Sequence, residues 1–213
     1  LGDLLLSLKD VPARIRLGSL EEGIVSREFL EKMKKAGNVC EHFHLSLQSG
    51  SDSVLRAMNR RYTREQYLQA CALIGEFFPD AAVTTDIIVG FPTETEEDFM
   101  QSLRIVGEAG LARVHAFPYS PRPGTNAARR PPLPDSVKQE RMARMLARAK
   151  EAEEAYLSRF ASRTLTALFE SDGGYTSNYI RVYAENAKEG GMYEVTLLER
   201  YRDGWHVRIE KEI

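Results

Sequence analysis

The chain has 213 residues, a formal net charge of −2, 28% charged residues and 43% hydrophobic residues. This is ordinary for a soluble globular protein and leaves room for one large domain, or one medium and one small. No global field recruits nucleic acid, so a basic site has to be local, and no apolar run nears the roughly 20 residues of a membrane span.

Cys40 and Cys71 lie far apart with no Cys-x-x-Cys spacing, so they offer no metal or disulfide framework and point to a reducing, cytoplasmic setting. The chain starts at Leu1 rather than Met and residues 3–9 read as the end of a helix, which suggests a fragment. Arg14–Leu20 alternates like a strand and turns at Glu21-Glu22-Gly23. Ser26 caps a predicted helix carrying Phe29, Leu30 and Met33, stopped by Gly37. His42–Leu47 reads as the next strand, with Gln48–Asp52 as its loop. A short helix over Val54–Met58 follows, then a longer one opened by the capping box Thr63–Gln66 and broken at Pro79-Asp80.

Thr84–Phe99 is the most informative stretch. Ile87-Ile88-Val89 is an apolar run expected of a strand covered on both faces. Gly90 and Pro92 stop it, and Thr95 with Asp98 opens the next helix. Asp86 interrupts the run, and a carboxylate there is costly unless paired or at the rim. Val114–Tyr119 is a fourth strand. Strands alternate with helices at roughly thirty-residue spacing, the pattern of parallel βαβ units. In such folds function collects on the loops after the strands' carboxyl ends. Four strands are too few to close a barrel.

Ser120–Asp135, rich in proline, reads as a stiff linker, and Ser136–Ala161 as a long helix with one apolar stripe. Residues 122–150 hold eight basic residues against Asp135 and Glu140, an excess of six. This predicts phosphate-backbone contact through Arg122, Arg129, Arg130, Arg141, Arg144 and Arg148, the alternative being a solvated helix face. From Arg163 the pattern is short β: Thr164–Glu170, Tyr179–Ala184, Met192–Leu198 and Trp205–Glu210, separated by glycine turns. This predicts a small antiparallel β-barrel the size of an oligonucleotide-binding module. Its aromatics Tyr175, Tyr179, Tyr183, Tyr193, Tyr201 and Trp205 are either base-stacking or core residues.

Four stretches together resemble the radical S-adenosylmethionine (SAM) methylthiotransferases that modify tRNA: His44–Ser51, Met58–Tyr62, Thr84–Phe99 and His115–Thr125. Arg16–Glu21 adds a weaker match. The resemblance covers nearly the whole chain. It implies an α/β fold made of the last four strands of a six-stranded partial (β/α) barrel over residues 1–125, a linker and long helix over 126–162, and a TRAM-like β-barrel over 163–213. It implies SAM and [4Fe–4S] clusters as cofactors, an electron donor for the cluster, and tRNA as partner, near adenosine 37 of the anticodon region. The family's Cys-x3-Cys-x2-Cys loop is absent, so this fragment alone is expected to be inactive and to hold no cluster through its cysteines.

By the same resemblance Gln48, Ser49, Gly50, Asp86, Phe117 and Tyr119 line the SAM pocket, and Arg60 or Arg61 pairs with the SAM carboxylate. Phe117–Thr125 looks most like the branch that methylthiolates C2 of N6-threonylcarbamoyladenosine. The alternatives are a relative acting on isopentenyladenosine or on a ribosomal protein, and a non-catalytic RNA-binding module. Ser46 and Thr93 depart from the family's common Pro and Gly without removing a needed chemical group.

Overall fold

A computed structural model describes all 213 residues, Leu1–Ile213. After a short helix α1 (Gly2–Ser7), strands and helices alternate: β1 (Ser19–Leu20), α2 (Arg27–Ala36), β2 (His42–Leu45), α3 (Asp52–Ala57), α4 (Arg64–Phe77), β3 (Ala82–Val89), α5 (Glu96–Glu108) and β4 (Arg113–Pro118). The helix starts follow the sequence signals. Ser26 Oγ accepts from Phe29 N, and Thr63/Gln66 and Thr95/Asp98 each form a reciprocal capping box. The predicted strand over residues 14–20 is shorter than expected. Only Ser19–Leu20 joins the sheet, with an isolated bridge at Ile15–Val39.

The four strands form one parallel sheet in the order β1-β2-β3-β4. Alternation puts Phe43, Leu45, Val83, Ile87 and Val89 on one face, in a 25-residue core with side chains of α2, α4, α5 and a long helix α6 (Asp135–Ser158). The opposite face carries His42, His44, Thr84, Asp86, Ile88, His115 and Phe117. The expectation that β3 is covered on both faces is therefore corrected. Ile88 and Asp86 are only half-buried, because helices cover one side alone. The sheet stays open, as its four strands require.

The C-terminal residues close into a barrel of β5 (Thr164–Glu170), β6 (Gly173–Thr176), β7 (Arg181–Tyr183), β8 (Met192–Tyr201) and β9 (Gly204–Glu212), in the order β5-β6-β7-β9-β8. A small barrel stands where one was expected, but it is mixed: β7 and β9 run parallel. The reason is parity. The Gly173-Gly174 turn belongs to a fifth strand, and an odd number of strands cannot alternate in direction all the way round a closed ring. Gly174 lets β6 in, since a Cβ there would sit 2.6 Å from Leu168 O.

The barrel docks under the amino ends of β3 and β4. Ala82 and Ala112 enter its 14-residue core beside Tyr156, Leu157 and Phe160. Tyr156 Oη donates within 3.0 Å of Asp80 O and 2.9 Å of Asn178 O, and Arg163 forks onto Asp80.

Candidate functional site

The barrel occupies the amino-end side of the sheet, so the carboxyl ends of the strands remain free. Three loops meet there. The first, after β2, is fixed by α5. Burial alone would raise the Asp98 carboxyl, but hydrogen bonds from Ser51, Ser53 and Thr95 hold its pKa at about 2. The second, after β3, folds back on itself. Glu94 Oε2 accepts from Gly90 N at 2.9 Å and from Arg141 Nη1 of α6 at 2.8 Å. Both members of this ion pair are buried, and burial raises the Glu94 carboxyl despite them. The third, after β4, begins at Tyr119, whose ring meets Phe91 edge-on at 5.2 Å and whose hydroxyl is buried without a partner.

Gln48, Asp86, Ile88 and Phe117 line the open face at this end. Gln48 has a left-handed backbone, φ 67°, which ends the strand alternation and sends the next residues inward. Ser49 and Gly50 therefore lie under α5. Ser49 is fully buried near Ser102, Gly50 N donates to Ser102 Oγ at 2.9 Å, and a Cβ on Gly50 would stand 2.6 Å from Ser102 Cα. Both residues, expected on the lining of the SAM pocket, are buried here, and Gly50 serves close packing of loop on helix. Arg61 is exposed and unpaired. Its neighbour Tyr62 donates to Ser46 O and Leu47 O, so Arg61 stands on the rim at the end of β2.

The six arginines of the predicted phosphate surface separate into two groups. Arg122, Arg129 and Arg130 are exposed with no acid partner. Arg141 is buried against Glu94, Arg144 pairs with Glu96 and Glu140, and Arg148 with Glu151. Arg141 is thus withdrawn from any phosphate surface, because its charge is spent inside the protein. A surface groove of about 830 Å³ lies between α5 and α6, away from the strand ends.

Sequence reasoning missed a polar cluster on the open face. A cleft of about 250 Å³ is lined by Arg16, His42, His44, Thr84, His115 and Tyr179. His42 stacks on Tyr179 of the barrel at 4.1 Å, and Tyr179 stacks in turn on Tyr175 at 5.0 Å. Burial, reinforced by Arg16, depresses His42 to about 3. Its signal was present: polar residues two apart, His42/His44 and Thr84/Asp86, in strands otherwise apolar.

Cys40 and Cys71 do not fit an iron–sulfur cluster. Both are buried and free, burial pushes the Cys71 thiol up to about 12, and no group of three His, Cys, Asp or Glu side chains is placed to hold a metal. The strand ends offer groups of the kind a ligand with polar donors and a flat ring would use. Asp86 is a part-exposed acceptor, and Phe117 leaves 51% of its surface open beside it.

Residues 2–106 match the radical SAM superfamily model. The chain is 33% identical to the threonylcarbamoyladenosine tRNA methylthiotransferase of Bacillus subtilis over 93% of its own length and 48% of the relative's. It is 38% identical to that of Thermotoga maritima over 96% and 49%, and 37% identical to the tRNA-2-methylthio-N6-dimethylallyladenosine synthase of Oceanobacillus iheyensis over 88% and 37%. It thus spans about half or less of the length of these curated relatives. Coproporphyrinogen III oxidase from Escherichia coli, a radical SAM enzyme, superposes with a TM-score of 0.56 over 70% of this chain and 36% of that one, at 20% identity, a likeness of fold. The chain belongs to the radical SAM superfamily, within its tRNA methylthiotransferase family.

Proposed function

We infer that the chain is the SAM- and RNA-binding part of a protein that methylthiolates C2 of N6-threonylcarbamoyladenosine-37 in tRNA. The observation that carries this reading is that one alignment with a threonylcarbamoyladenosine enzyme spans 96% of the chain, parallel sheet and barrel alike. Asp86, Gln48 and Phe117 would hold SAM at the strand ends, with Arg61 at the rim. Bound there, SAM would supply a methyl group and, on reductive cleavage, a 5′-deoxyadenosyl radical. The cluster and its electron donor belong to the whole protein, since the cysteines here do not fit one.

The barrel supports RNA binding of the TRAM type. Tyr193 and Trp205 are core residues, 4% exposed each. Tyr175, Tyr183 and Tyr201 are at the surface and interleaved with guanidiniums: Arg181 over Tyr175 at 4.7 Å, Arg202 over Tyr201 at 5.0 Å and over Tyr183 at 5.5 Å. Such alternation suits unpaired bases and their phosphates. Arg122, Arg129 and Arg130, exposed and without acid partners, offer further cations on the segment that follows β4.

The threonylcarbamoyl branch rests on Phe117–Thr125. Dimethylallyladenosine-type relatives at 37% identity support isopentenyladenosine as the second substrate reading. Mass spectrometry of tRNA nucleosides from a strain lacking the full gene separates them. Loss of 2-methylthio-N6-threonylcarbamoyladenosine with accumulation of its precursor supports the first reading, and loss of the isopentenyl product supports the second. No change in any methylthio nucleoside refutes both.

A further inference from the structure

Thr84 Oγ1 lies between two imidazoles, 2.9 Å from His42 Nε2 and 3.0 Å from His44 Nδ1. A hydroxyl has one proton, so it donates to one ring and accepts from the other. Asp86 decides which. Its Oδ2 stands 3.4 Å from His44 Nε2, an ion-pair separation rather than a hydrogen bond, and a negative charge there favours a proton on the nitrogen that faces it. His44 therefore carries its proton on Nε2 and offers Nδ1 as a lone pair to the Thr84 hydroxyl. With that proton committed, Thr84 accepts from His42, whose proton is also on Nε2. The remaining ring nitrogen, His42 Nδ1, is then a bare lone pair. It is also the nitrogen that is buried with no partner. An unpaired acceptor is the milder of the two exceptions seen among buried backbone groups, so this assignment leaves the cheaper orphan.

The groups around His42 agree. Arg16, Arg113, His44 and His115 face it and, after burial, oppose a second proton on the ring. The order is thus His42 to Thr84 to His44 by hydrogen bonds, with the His44 Nε2 side facing the Asp86 carboxylate across 3.4 Å. His44 is the one protein group within ion-pair distance of Asp86, whose side chain remains 32% exposed.

We propose that Thr84 and His44 are positioning residues for Asp86, fixing its carboxylate as an oriented acceptor for a ligand group that carries N–H or O–H donors. This rests on the open face being the ligand site. The fitting chemistry is a ribose diol or an ammonium group. SAM has both, and adenosine has only the diol.

The test combines tautomer and affinity. With four histidines in the sequence, imidazole 15N shifts of the labelled chain report each tautomer. His42 and His44 are each expected to show a proton on Nε2 and a lone pair on Nδ1, both in the native protein and in Thr84→Ser. Thr84→Val keeps the shape and removes the hydroxyl. In the full-length holoenzyme it is expected to weaken SAM binding about tenfold, with recovery in Thr84→Ser. A His44 proton found on Nδ1 overturns the network. Unchanged affinity in Thr84→Val, with Asp86→Asn weakened, overturns the positioning role alone. Unchanged affinity in Asp86→Asn overturns the ligand-site reading beneath it. Adenosine as a second probe assigns the group: an Asp86→Asn loss shared by adenosine supports the diol, and a loss confined to SAM supports the ammonium.

Discussion

Acid should loosen the protein through His42. The ring is 3% exposed, and burial, then the charge of Arg16, hold its pKa at about 3 against an ordinary 6.5. A histidine depressed in the folded state is neutral there and gains a proton on unfolding. Its contribution is therefore intact above pH 6.5 and is lost as pH falls from 6.5 toward 3. At pH 5 the unfolded ring is about 1.5 units below its own pKa, which is about 2 kcal/mol of lost stability at about 1.36 kcal/mol per unit. Urea unfolding followed by far-UV circular dichroism at pH 7 and pH 5 reads this out. With a slope of about 2 kcal/mol/M the midpoint should drop by about 1 M. His42→Gln removes the titration and should lack that part of the drop. Glu41 and Glu94, whose carboxyls burial raises, act in the opposite sense in both proteins, so the difference isolates His42. An equal loss in both proteins would refute the reasoning.

Three further outcomes follow from packing and charge. Arg141→Met leaves Glu94 buried without its cation and should cost about 3–5 kcal/mol, while adding Glu94→Gln should recover much of it, both read as thermal midpoints. Gly50→Ala forces a Cβ against the α5 backbone at Ser102 and should destabilise by about 1–3 kcal/mol, whereas Gly23→Ala meets nothing and should not, by the same melts. In the full-length protein Arg202→Ala should lower the salt slope of tRNA binding by about one, and Tyr183→Ala should weaken binding by about 1–3 kcal/mol with the slope unchanged.

What the sequence disclosed was local. Ser26, Thr63–Gln66 and Thr95–Asp98 act on backbone a turn away, so their caps could be read directly, and the helices begin where they predict. The run Ile87-Ile88-Val89 marked a strand but not which of its faces was covered, because coverage depends on where distant helices pack. Charge counting misjudged α6. Arg141 and Arg144 meet Glu94 and Glu96, nearly fifty residues away in sequence, so an excess counted along one stretch is cancelled by another. The barrel's parallel pair was invisible once Gly173-Gly174 was read as a turn, since closure is a property of the strand count. The turn of Ser49 and Gly50 under α5 was not legible, because nothing in Gln48 announces its left-handed backbone. Thr84 and its two histidines went unremarked because hydrogen bonds across strands need the register.

The helix α6 ties two distant places together. Arg141 grips the loop after β3, and Tyr156 grips the seam with the barrel. The two side chains are separated by about 22 Å of rise, at about 1.5 Å per residue. One inserted residue would turn one end about 100° against the other and break one grip. The helix thus acts as a gauge of fixed length and phase. Insertions and deletions can accumulate in the exposed stretch 120–134, but between Arg141 and Tyr156 the residue count itself is under constraint.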